Sequence, residues 1–211
     1  MIISRFENRD LWMQARQGKI TGSRLKDILV KRGTGKKKGF FELIAERLAI
    51  PRDDENVMAR GHRLEEEALD RFTALTGKEV NRDLMIWMRE DNESIAVSPD
   101  GTVSEKEACE AKCLSSASHI EAYIYKTFPG YEANPIPSEY REQGLQYFCV
   151  NDALETLNFC FYDPSFGDLD CAFFVVEMHR KDYLVEIAKA LEDQRIALAE
   201  VNAIVNKLSG F

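Results

Sequence analysis

The chain has 211 residues, of which 45% are hydrophobic and 30% charged, a balance typical of a soluble globular protein. No apolar run approaches the roughly 18 residues of a membrane span, and the N-terminal MIISRFENRD lacks the apolar core of a signal peptide. We therefore expect a cytoplasmic protein without membrane association. The five cysteines include no CxxC pair, which favours reduced thiols and argues against a structural zinc site.

The formal net charge of −8 argues at first against a nucleic-acid partner, but the charge is unevenly distributed. Residues 31–39, KRGTGKKKG, carry five basic side chains and no acid, so the rest of the chain holds −8 less these five charges, which is −13. Such a glycine-containing basic loop is suited to following a phosphate backbone, and the alternative is a solvated flexible loop. Arg32, Lys36 and Lys37 are the candidate contacts to a DNA backbone.

Hydrophobic periodicity predicts helices first, strands in the middle and helices around them. In chain order we expect helices at 8–17, 23–30, 40–49 and 55–76, strands at 79–89, 94–98 and 107–114, a helix at 117–127, a helix from a capping Ser138 to 150, strands at 156–163 and 171–180, and a long helix from about 182. No repeat or linker divides the chain, so we expect one domain over residues 1–211. This order favours an α/β fold with a mixed central sheet.

Two acids and a lysine lie close together in the stretch SPDGTVSEKEACEAKC, residues 98–113. Because side chains alternate along a strand, Glu110 and Lys112 share one face. Asp100 lies in a proline–glycine turn after the preceding predicted strand, and it returns close to Glu110 if those two strands pair as a hairpin. Two carboxylates repel each other by roughly 1 to 4 kcal/mol at about 4 Å, and a divalent cation removes that penalty. Oxygen ligands favour Mg²⁺ or Mn²⁺.

A third carboxylate and two amides lie on predicted helices. Glu65 falls inside the apolar stripe of its helix, whereas Glu66 and Glu67 fall on the opposite side. A carboxylate on a packed face needs a metal or a basic side chain as its partner. In REQGLQYFCV, residues 141–150, Gln143 and Gln146 share a face with apolar residues, so they serve either a ligand or a buried structural network. The apolar stripe consists of Gly61, Leu64, Ala68, Leu69, Phe72 and Leu75.

Five ordered elements resemble the PD-(D/E)xK nuclease superfamily, and specifically its phage lambda exonuclease and viral-recombinase (YqaJ-like) family. They are WMQARQGKITGS (12–23), GHRLE (61–65), SPD (98–100) with EAK (110–112), QGLQY (143–147) and FYDP (161–164). The resemblance implies a restriction-endonuclease-like core, with a central mixed β-sheet flanked by helices, a helical N-terminal part and a long C-terminal helix. No phosphate-loop, HExxH or GxSxG motif points to another chemistry.

The resemblance also implies a Mg²⁺-dependent 5′→3′ exonuclease that hydrolyses phosphodiester bonds with two ions per active site, with Mn²⁺ expected to substitute. Lys112 would orient the attacking water and help to deprotonate it. Gln146, preferred over Gln143 for its spacing to the later FYDP, would position that water or the scissile phosphate. The implied metal ligands are Asp100, Glu110, the Ala111 carbonyl and Glu65.

The implied substrate is the end of linear double-stranded DNA, digested to leave 3′ single strands for recombination. Arg16, Ser23 and Ser98 match the residues that hold the 5′-phosphate in the family, while the family arginine after the ExK lysine has no match in CLSSASH. The resemblance further implies a ring-shaped homotrimer, a single-strand annealing recombinase as partner, and a phage or prophage protein in a bacterial host. The alternatives are a structure-specific or restriction-type endonuclease and a non-catalytic DNA-end-binding module.

Overall fold

The structure is a computed structural model that describes Phe41, Ile44, Ala45 and residues 57–209, with side chains described from residue 63 to 200 and at those three and Ala203. The helices are α1 (Val57–Thr76), α2 (Ser116–Thr127), α3 (Ser138–Val150) and α4 (Leu184–Ser209). The strands are β1 (Trp87–Arg89), β2 (Asn92–Val97), β3 (Gly101–Ser104), β4 (Glu107–Lys112), β5 (Thr156–Tyr162) and β6 (Phe173–His179). The predicted helices at 8–17 and 23–30 lie outside the described residues.

The strands form two sheets. β1 pairs antiparallel with β2 in a two-stranded sheet, and the other strands form a four-stranded sheet in the order β3-β4-β5-β6. β3 and β4 are an antiparallel hairpin in which Gly101 lies opposite Cys109. With its mixed central sheet, flanking helices and long C-terminal helix, the chain has the predicted α/β fold class, and that prediction is confirmed.

The described residues divide into two compact units. One contains residues up to Leu64 together with Cys113–Pro135 and Phe161–Phe174, and its core includes Phe41, Ile120 and Phe166. The other contains Glu65–Lys112, Ile136–Cys160 and the residues from Val175 onward. The division passes through β5 and β6, and the expectation of a single domain stays a prediction.

Three predictions about individual helices and strands are wrong. The strand expected at 79–89 is reduced to β1, because only Asn81 of the preceding residues pairs with the sheet, through an isolated bridge to Thr102. Ser138 does not cap α3: Pro137 occupies the N-cap position, and the Ser138 hydroxyl donates to the carboxylate of Glu139. Leu75 is two-thirds exposed and lies outside the buried stripe of α1.

The structure bears on two further predictions, the state of the cysteines and the presence of membrane-spanning helices. All five cysteines are free thiols, as the sequence predicts, and four of them are buried. In the part of the chain that the structure describes, no helix is both long enough and apolar enough to span a bilayer.

Packing of α3 against its own unit depends on close approach at a glycine. A side chain at Gly144 would come within 2.6 Å of the Met178 sulfur and 3.1 Å of the Phe159 ring. The same helix buries Tyr147 and Phe148 completely. The backbone of α3 is thereby held close to β5 and β6, and its side chains at 143 and 147 are fixed in position for the site described below.

The C-terminal end of α3 is held by an arginine. The guanidinium of Arg89 on β1 donates to the Cys149 carbonyl at 2.5 Å and forms two hydrogen bonds with the Asp152 carboxylate, at 2.9 and 3.1 Å. The last carbonyls of a helix have no partner within the helix, so this contact satisfies one of them. The guanidinium also lowers the pKa of Asp152.

We expect Arg89→Met to lower the free energy of unfolding by about 1–3 kcal/mol, because it removes the donor to the carbonyl of the buried Cys149 and a charge-assisted pair with Asp152. Urea unfolding followed by far-ultraviolet circular dichroism measures the change. The control is Lys106→Met, which removes an ion pair with Glu155 in which both side chains are largely exposed. That control should change stability by less than about 1 kcal/mol. Equal losses in the two variants would contradict the assigned role of Arg89.

Candidate active site

Strand β4 presents a carboxylate and an ammonium side by side. Glu110 and Lys112 are two residues apart, and the Lys112 Nζ lies 2.5 Å from Oε1 of Glu110. The alternation predicted from the sequence therefore holds for this pair. Glu110 is only 2% exposed, whereas Lys112 is half-buried. A buried carboxylate is tolerated only with charged or hydrogen-bonding partners, and its partners therefore define the site.

Three donors surround the Glu110 carboxylate. Oε1 accepts hydrogen bonds from the Lys112 ammonium and from the Gln143 side-chain amide, the latter at 2.6 Å. Oε2 accepts a hydrogen bond from the Tyr147 hydroxyl. Burial, followed by the nearby Glu110 charge, raises the pKa of Tyr147 far above its usual range, so this phenol stays protonated as a donor. Glu110 is consequently held in one orientation by two elements, β4 and α3.

Asp100 lies beside this cluster, at the start of the β3–β4 hairpin. Its Oδ2 accepts a hydrogen bond from the Ala111 backbone N–H at 2.9 Å. Burial, and then repulsion from the Glu110 charge, raises the pKa of Asp100 to about 7. The expected approach of the two acids is present, but its origin differs from the prediction: β4 pairs with β3, whereas β2 pairs with β1.

The lysine has an aromatic neighbour that the sequence analysis did not single out. The Lys112 ammonium lies over the ring of Tyr140, 4.8 Å from its centroid. A cation over an aromatic face is attracted by the ring quadrupole. Tyr140, Gln143 and Tyr147 occur at spacings of three and four residues on α3, so one face of this helix contacts both the ammonium and the carboxylate.

The two glutamines of α3 have different partners. Gln143 donates to Glu110, whereas the Gln146 amide donates to the Ala96 carbonyl at 3.2 Å. The role predicted for Gln146 remains a prediction, and Gln143 is the amide in contact with the carboxylate. Ser98, a predicted 5′-phosphate ligand, is exposed, and its carbonyl oxygen lies 3.3 Å from the Tyr147 hydroxyl, whose proton is donated to Glu110.

The donor set fits a hard cation held by two carboxylates. Burial, and then the charge of Glu110, raises the pKa of Asp100, and a cation would offset both costs; Mg²⁺ is commonly bound through one or two carboxylates with the other positions taken by water or phosphate. Glu65 on α1 is half-buried, and its charge contributes to the same rise. Nevertheless, no three His, Cys, Asp or Glu side chains among the described residues are close enough together to form a metal cage. The two carboxylates therefore fit an ion whose other ligand positions are taken by water or phosphate.

Several predicted DNA contacts cannot be compared with this geometry. Arg16 and Ser23, expected at the 5′-phosphate, lie outside the described residues, as do Arg32, Lys36 and Lys37 of the basic segment.

Comparisons with known proteins agree with the family resemblance found in the sequence. The description of the matching family is "YqaJ-like viral recombinase domain", and the match covers residues 11–153. The chain is similar to the alkaline exonuclease LHK-Exo from Laribacter hongkongensis, with 26% identity, a TM-score of 0.59, and coverage of 96% of this chain and 99% of that chain. A structure of LHK-Exo in complex with dAMP gives 25% identity, the same TM-score, and coverage of 96% and 98%. A search of the curated proteins found no match.

Proposed function

The chain belongs to the YqaJ-like viral recombinase family, and from this premise we propose that it is a Mg²⁺-dependent 5′→3′ exonuclease of linear double-stranded DNA. It would digest one strand and leave 3′ single strands for homologous recombination by strand annealing. Family membership and the likeness to alkaline exonucleases support a nuclease function. Strand polarity, metal dependence and mechanism are the finer parts of the proposal.

One observation carries the proposal: an acid pair and a lysine converge beside α3 in the order that the PD-(D/E)xK pattern requires. Asp100 accepts a hydrogen bond from the Ala111 backbone N–H, and Glu110 accepts one from Lys112, so both acids and the lysine contact another residue of the motif. Glu110 and Lys112 alone would suffice for a structural ion pair; the second carboxylate, Asp100, whose pKa is raised by burial and then by the Glu110 charge, favours a bound cation. The arrangement is suited to a cationic ligand and a phosphate.

The proposed reaction is in-line hydrolysis of a phosphodiester. A water oxygen forms a bond to phosphorus while the bond from phosphorus to the leaving oxygen breaks; the proton of the water passes to the Lys112 amine, which has first released its own proton to bulk water, and the leaving oxygen takes up a proton from bulk water. Lys112 would orient the water through Nζ, held between Glu110 and the Tyr140 ring, and help to remove its proton. Gln146 would position the water or the scissile phosphate. Bound Mg²⁺ would supply charge neutralisation at the phosphate and a lower pKa for water.

Asp100 and Glu110 are the proposed principal ligands of Mg²⁺, with the Ala111 carbonyl beside them and Glu65 serving a second ion. Mn²⁺ should substitute, because it accepts the same oxygen ligands. Arg16, Ser23 and Ser98 are the proposed 5′-phosphate ligands, and the position of Ser98 next to Tyr147 supports an end-binding pocket close to the carboxylates. The proposal extends to a homotrimeric ring and to a single-strand annealing recombinase as partner.

The function is tested with three DNA substrates: a linear duplex with 5′-phosphates, the same duplex without them, and a covalently closed circle. With Mg²⁺ we expect loss of the linear duplexes from their 5′ ends, fastest with the phosphate, and an intact circle. A chelator should stop the reaction. Cleavage of the circle would indicate an endonuclease, and end binding without any digestion would indicate a non-catalytic module. Either result would overturn the proposal.

The two glutamines of α3 should have separable effects. Because Gln143 holds the Glu110 carboxylate, Gln143→Ala should raise the Mg²⁺ concentration for half-maximal digestion by about 10- to 100-fold. Because Gln146 does not contact that carboxylate, Gln146→Ala should lower the maximal rate with little change in the Mg²⁺ requirement. Glu142→Ala, on the exposed side of the same helix, is the control. A Mg²⁺ requirement changed only by Gln146→Ala would contradict this division of roles.

A further inference from the structure

The hydrogen bonds to Glu110 leave only one of its two oxygens open to a further ligand. An ionised carboxylate has about four lone-pair positions, shared equally by its oxygens. Oε1 accepts from the Lys112 ammonium and from the Gln143 amide, so both of its positions are taken. Among the described residues, Oε2 accepts only from the Tyr147 hydroxyl, which leaves one position open. A cation that binds Glu110 is therefore expected at Oε2, the oxygen that Tyr147 holds.

Asp100 has the second open oxygen. Its Oδ2 accepts from the Ala111 backbone N–H at 2.9 Å, and no described residue donates to its Oδ1. The Tyr147 hydroxyl also lies 3.3 Å from the carbonyl oxygen of Ser98, two residues before Asp100 in the chain. Tyr147 therefore contacts both segments that carry the acids, one through the Glu110 side chain and the other through the backbone.

Packing holds the Tyr147 side chain in place. The residue is fully buried, and its ring meets Trp87 of β1 edge-on, with 6.1 Å between the ring centroids and an angle of 79° between the planes. A ring packed at the density of a protein interior cannot turn its hydroxyl away from its partner without moving its neighbours. The Glu110 carboxylate is consequently fixed at both of its oxygens.

A carboxylate fixed in this way favours a small cation. Mg²⁺ demands nearly ideal octahedral geometry and keeps several waters, so a single well-placed oxygen from each carboxylate suits it. Ca²⁺ is larger, accepts more oxygens in irregular geometry, and takes a carboxylate through one oxygen or through both. Because both positions on Oε1 are occupied, Glu110 can give a cation one oxygen, which is the binding mode that Mg²⁺ uses.

We propose that Tyr147 is a positioning residue that limits Glu110 to binding a cation through Oε2 alone, and that it thereby sets a preference for Mg²⁺ over Ca²⁺. This inference rests on the proposed function, in which Asp100 and Glu110 are the metal ligands. The two open oxygens, Oδ1 of Asp100 and Oε2 of Glu110, are the contacts assigned to the ion. Without the hydroxyl, Oε2 loses its one partner, and the carboxylate can turn to offer a cation both oxygens.

The test is Tyr147→Phe, which removes the hydroxyl and keeps the ring against Trp87. Binding of Mn²⁺ to the full-length protein without DNA is measured from the electron paramagnetic resonance signal of free Mn²⁺, and Mg²⁺ or Ca²⁺ is then added to displace it. The variant should bind Mg²⁺ about 10- to 100-fold more weakly than wild type, the usual cost of losing a hydrogen bond to a metal ligand. Its affinity for Ca²⁺ should change by less than about threefold, because Ca²⁺ tolerates the freed carboxylate.

The matched control is Tyr125→Phe, which removes a half-buried hydroxyl that donates to a different glutamate, Glu121 on α2, at 3.0 Å. It should discriminate between Mg²⁺ and Ca²⁺ as the wild-type protein does. A second variant, Trp87→Leu, removes the ring that packs against Tyr147 and should shift the preference towards Ca²⁺ by a smaller factor. It decides the question if Tyr147→Phe lacks a cooperative urea transition and is therefore not folded.

Three results would overturn the inference: an unchanged ratio of Mg²⁺ to Ca²⁺ affinity in Tyr147→Phe, an equal change in Tyr125→Phe, or a wild-type chain that binds no Mn²⁺, since the two open oxygens would then hold no cation. The proposed function is decided separately, by digestion of linear duplex by the wild-type protein. Digestion with an unchanged ratio in Tyr147→Phe would remove the role of Tyr147 and leave the nuclease in place.

Discussion

Replacing Lys112 with Met is expected to slow digestion of linear duplex DNA by about 10²- to 10⁴-fold, the contribution typical of a residue that handles a proton in the transition state. The methionine keeps the aliphatic stem but removes the ammonium that lies 2.5 Å from Glu110 and over the Tyr140 ring. Glu110 would retain its hydrogen bonds from Gln143 and Tyr147, so the carboxylate should stay in place. The digestion rate of the variant measures catalysis, and its binding of DNA in the presence of a chelator measures affinity. The two measurements together separate these effects.

The control for Lys112→Met is Lys106→Met, at the turn between β3 and β4. It removes an equal charge from the same hairpin, but its ammonium is largely exposed and paired with Glu155. We expect the control to digest DNA at the wild-type rate. Comparable losses in the two variants, or full activity in Lys112→Met, would remove the lysine from the proposed mechanism.

Asp100→Asn is expected to abolish digestion and to stabilise the metal-free protein. The pKa of Asp100 is raised to about 7, first by burial and then by the charge of Glu110. Asparagine removes the charge, and its carbonyl oxygen can still accept the hydrogen bond from the Ala111 N–H. The rise from the usual value of 3.8 to about 7 corresponds to an energy on the order of 4 kcal/mol, at about 1.4 kcal/mol per pH unit. A loss of activity with a gain in stability is typical of a site optimised for function.

The pH dependence of stability has a definite sign. The folded state holds the Asp100 proton more tightly than the unfolded state does, so it binds more protons between about pH 4 and about pH 7, and the free energy of unfolding falls as pH rises through that window. Urea unfolding in chelator should show this fall in the wild-type protein and a smaller one in Asp100→Asn. The neighbouring charges of Glu110, Lys112 and Glu65 are common to both proteins. Parallel curves would contradict the raised pKa of Asp100.

The contact between Glu110 and Lys112 could be predicted from the sequence because it is local. The two-residue spacing in β4 fixed Glu110 and Lys112 on one face, and the bounds of α3 were predicted correctly at 138–150. The strand pairing was less accessible. β3 is only four residues long, and its Gly-Thr-Val-Ser sequence carries little signal, so the sequence offers the strand at 94–98, which belongs to β2, as the conditional hairpin partner of β4. Pairing between strands depends on tertiary packing more than on local propensity.

Contacts across the sequence could not be predicted. Gln143 meets Glu110 across 33 residues and Tyr147 meets it across 37, distances at which periodicity carries no information. The sequence placed Gln143 and Tyr147 on one face of α3. Which of Gln143 and Gln146 contacts Glu110 depends on where β4 lies against the helix, and the sequence does not give that position. Nothing in the sequence marks Tyr140 as a neighbour of Lys112, since an aromatic residue on a helix is ordinarily part of a core.

The most direct measurement is calorimetric titration of Mg²⁺ or Mn²⁺ into the Lys112→Met variant mixed with a 5′-phosphorylated duplex, conditions under which digestion is slow. The account predicts heat from ion binding to the Lys112→Met variant. It predicts no such heat for the double variant that carries both Lys112→Met and Asp100→Asn. An absence of metal uptake with DNA present, or uptake that survives the loss of Asp100, would contradict a cation site at Asp100 and Glu110.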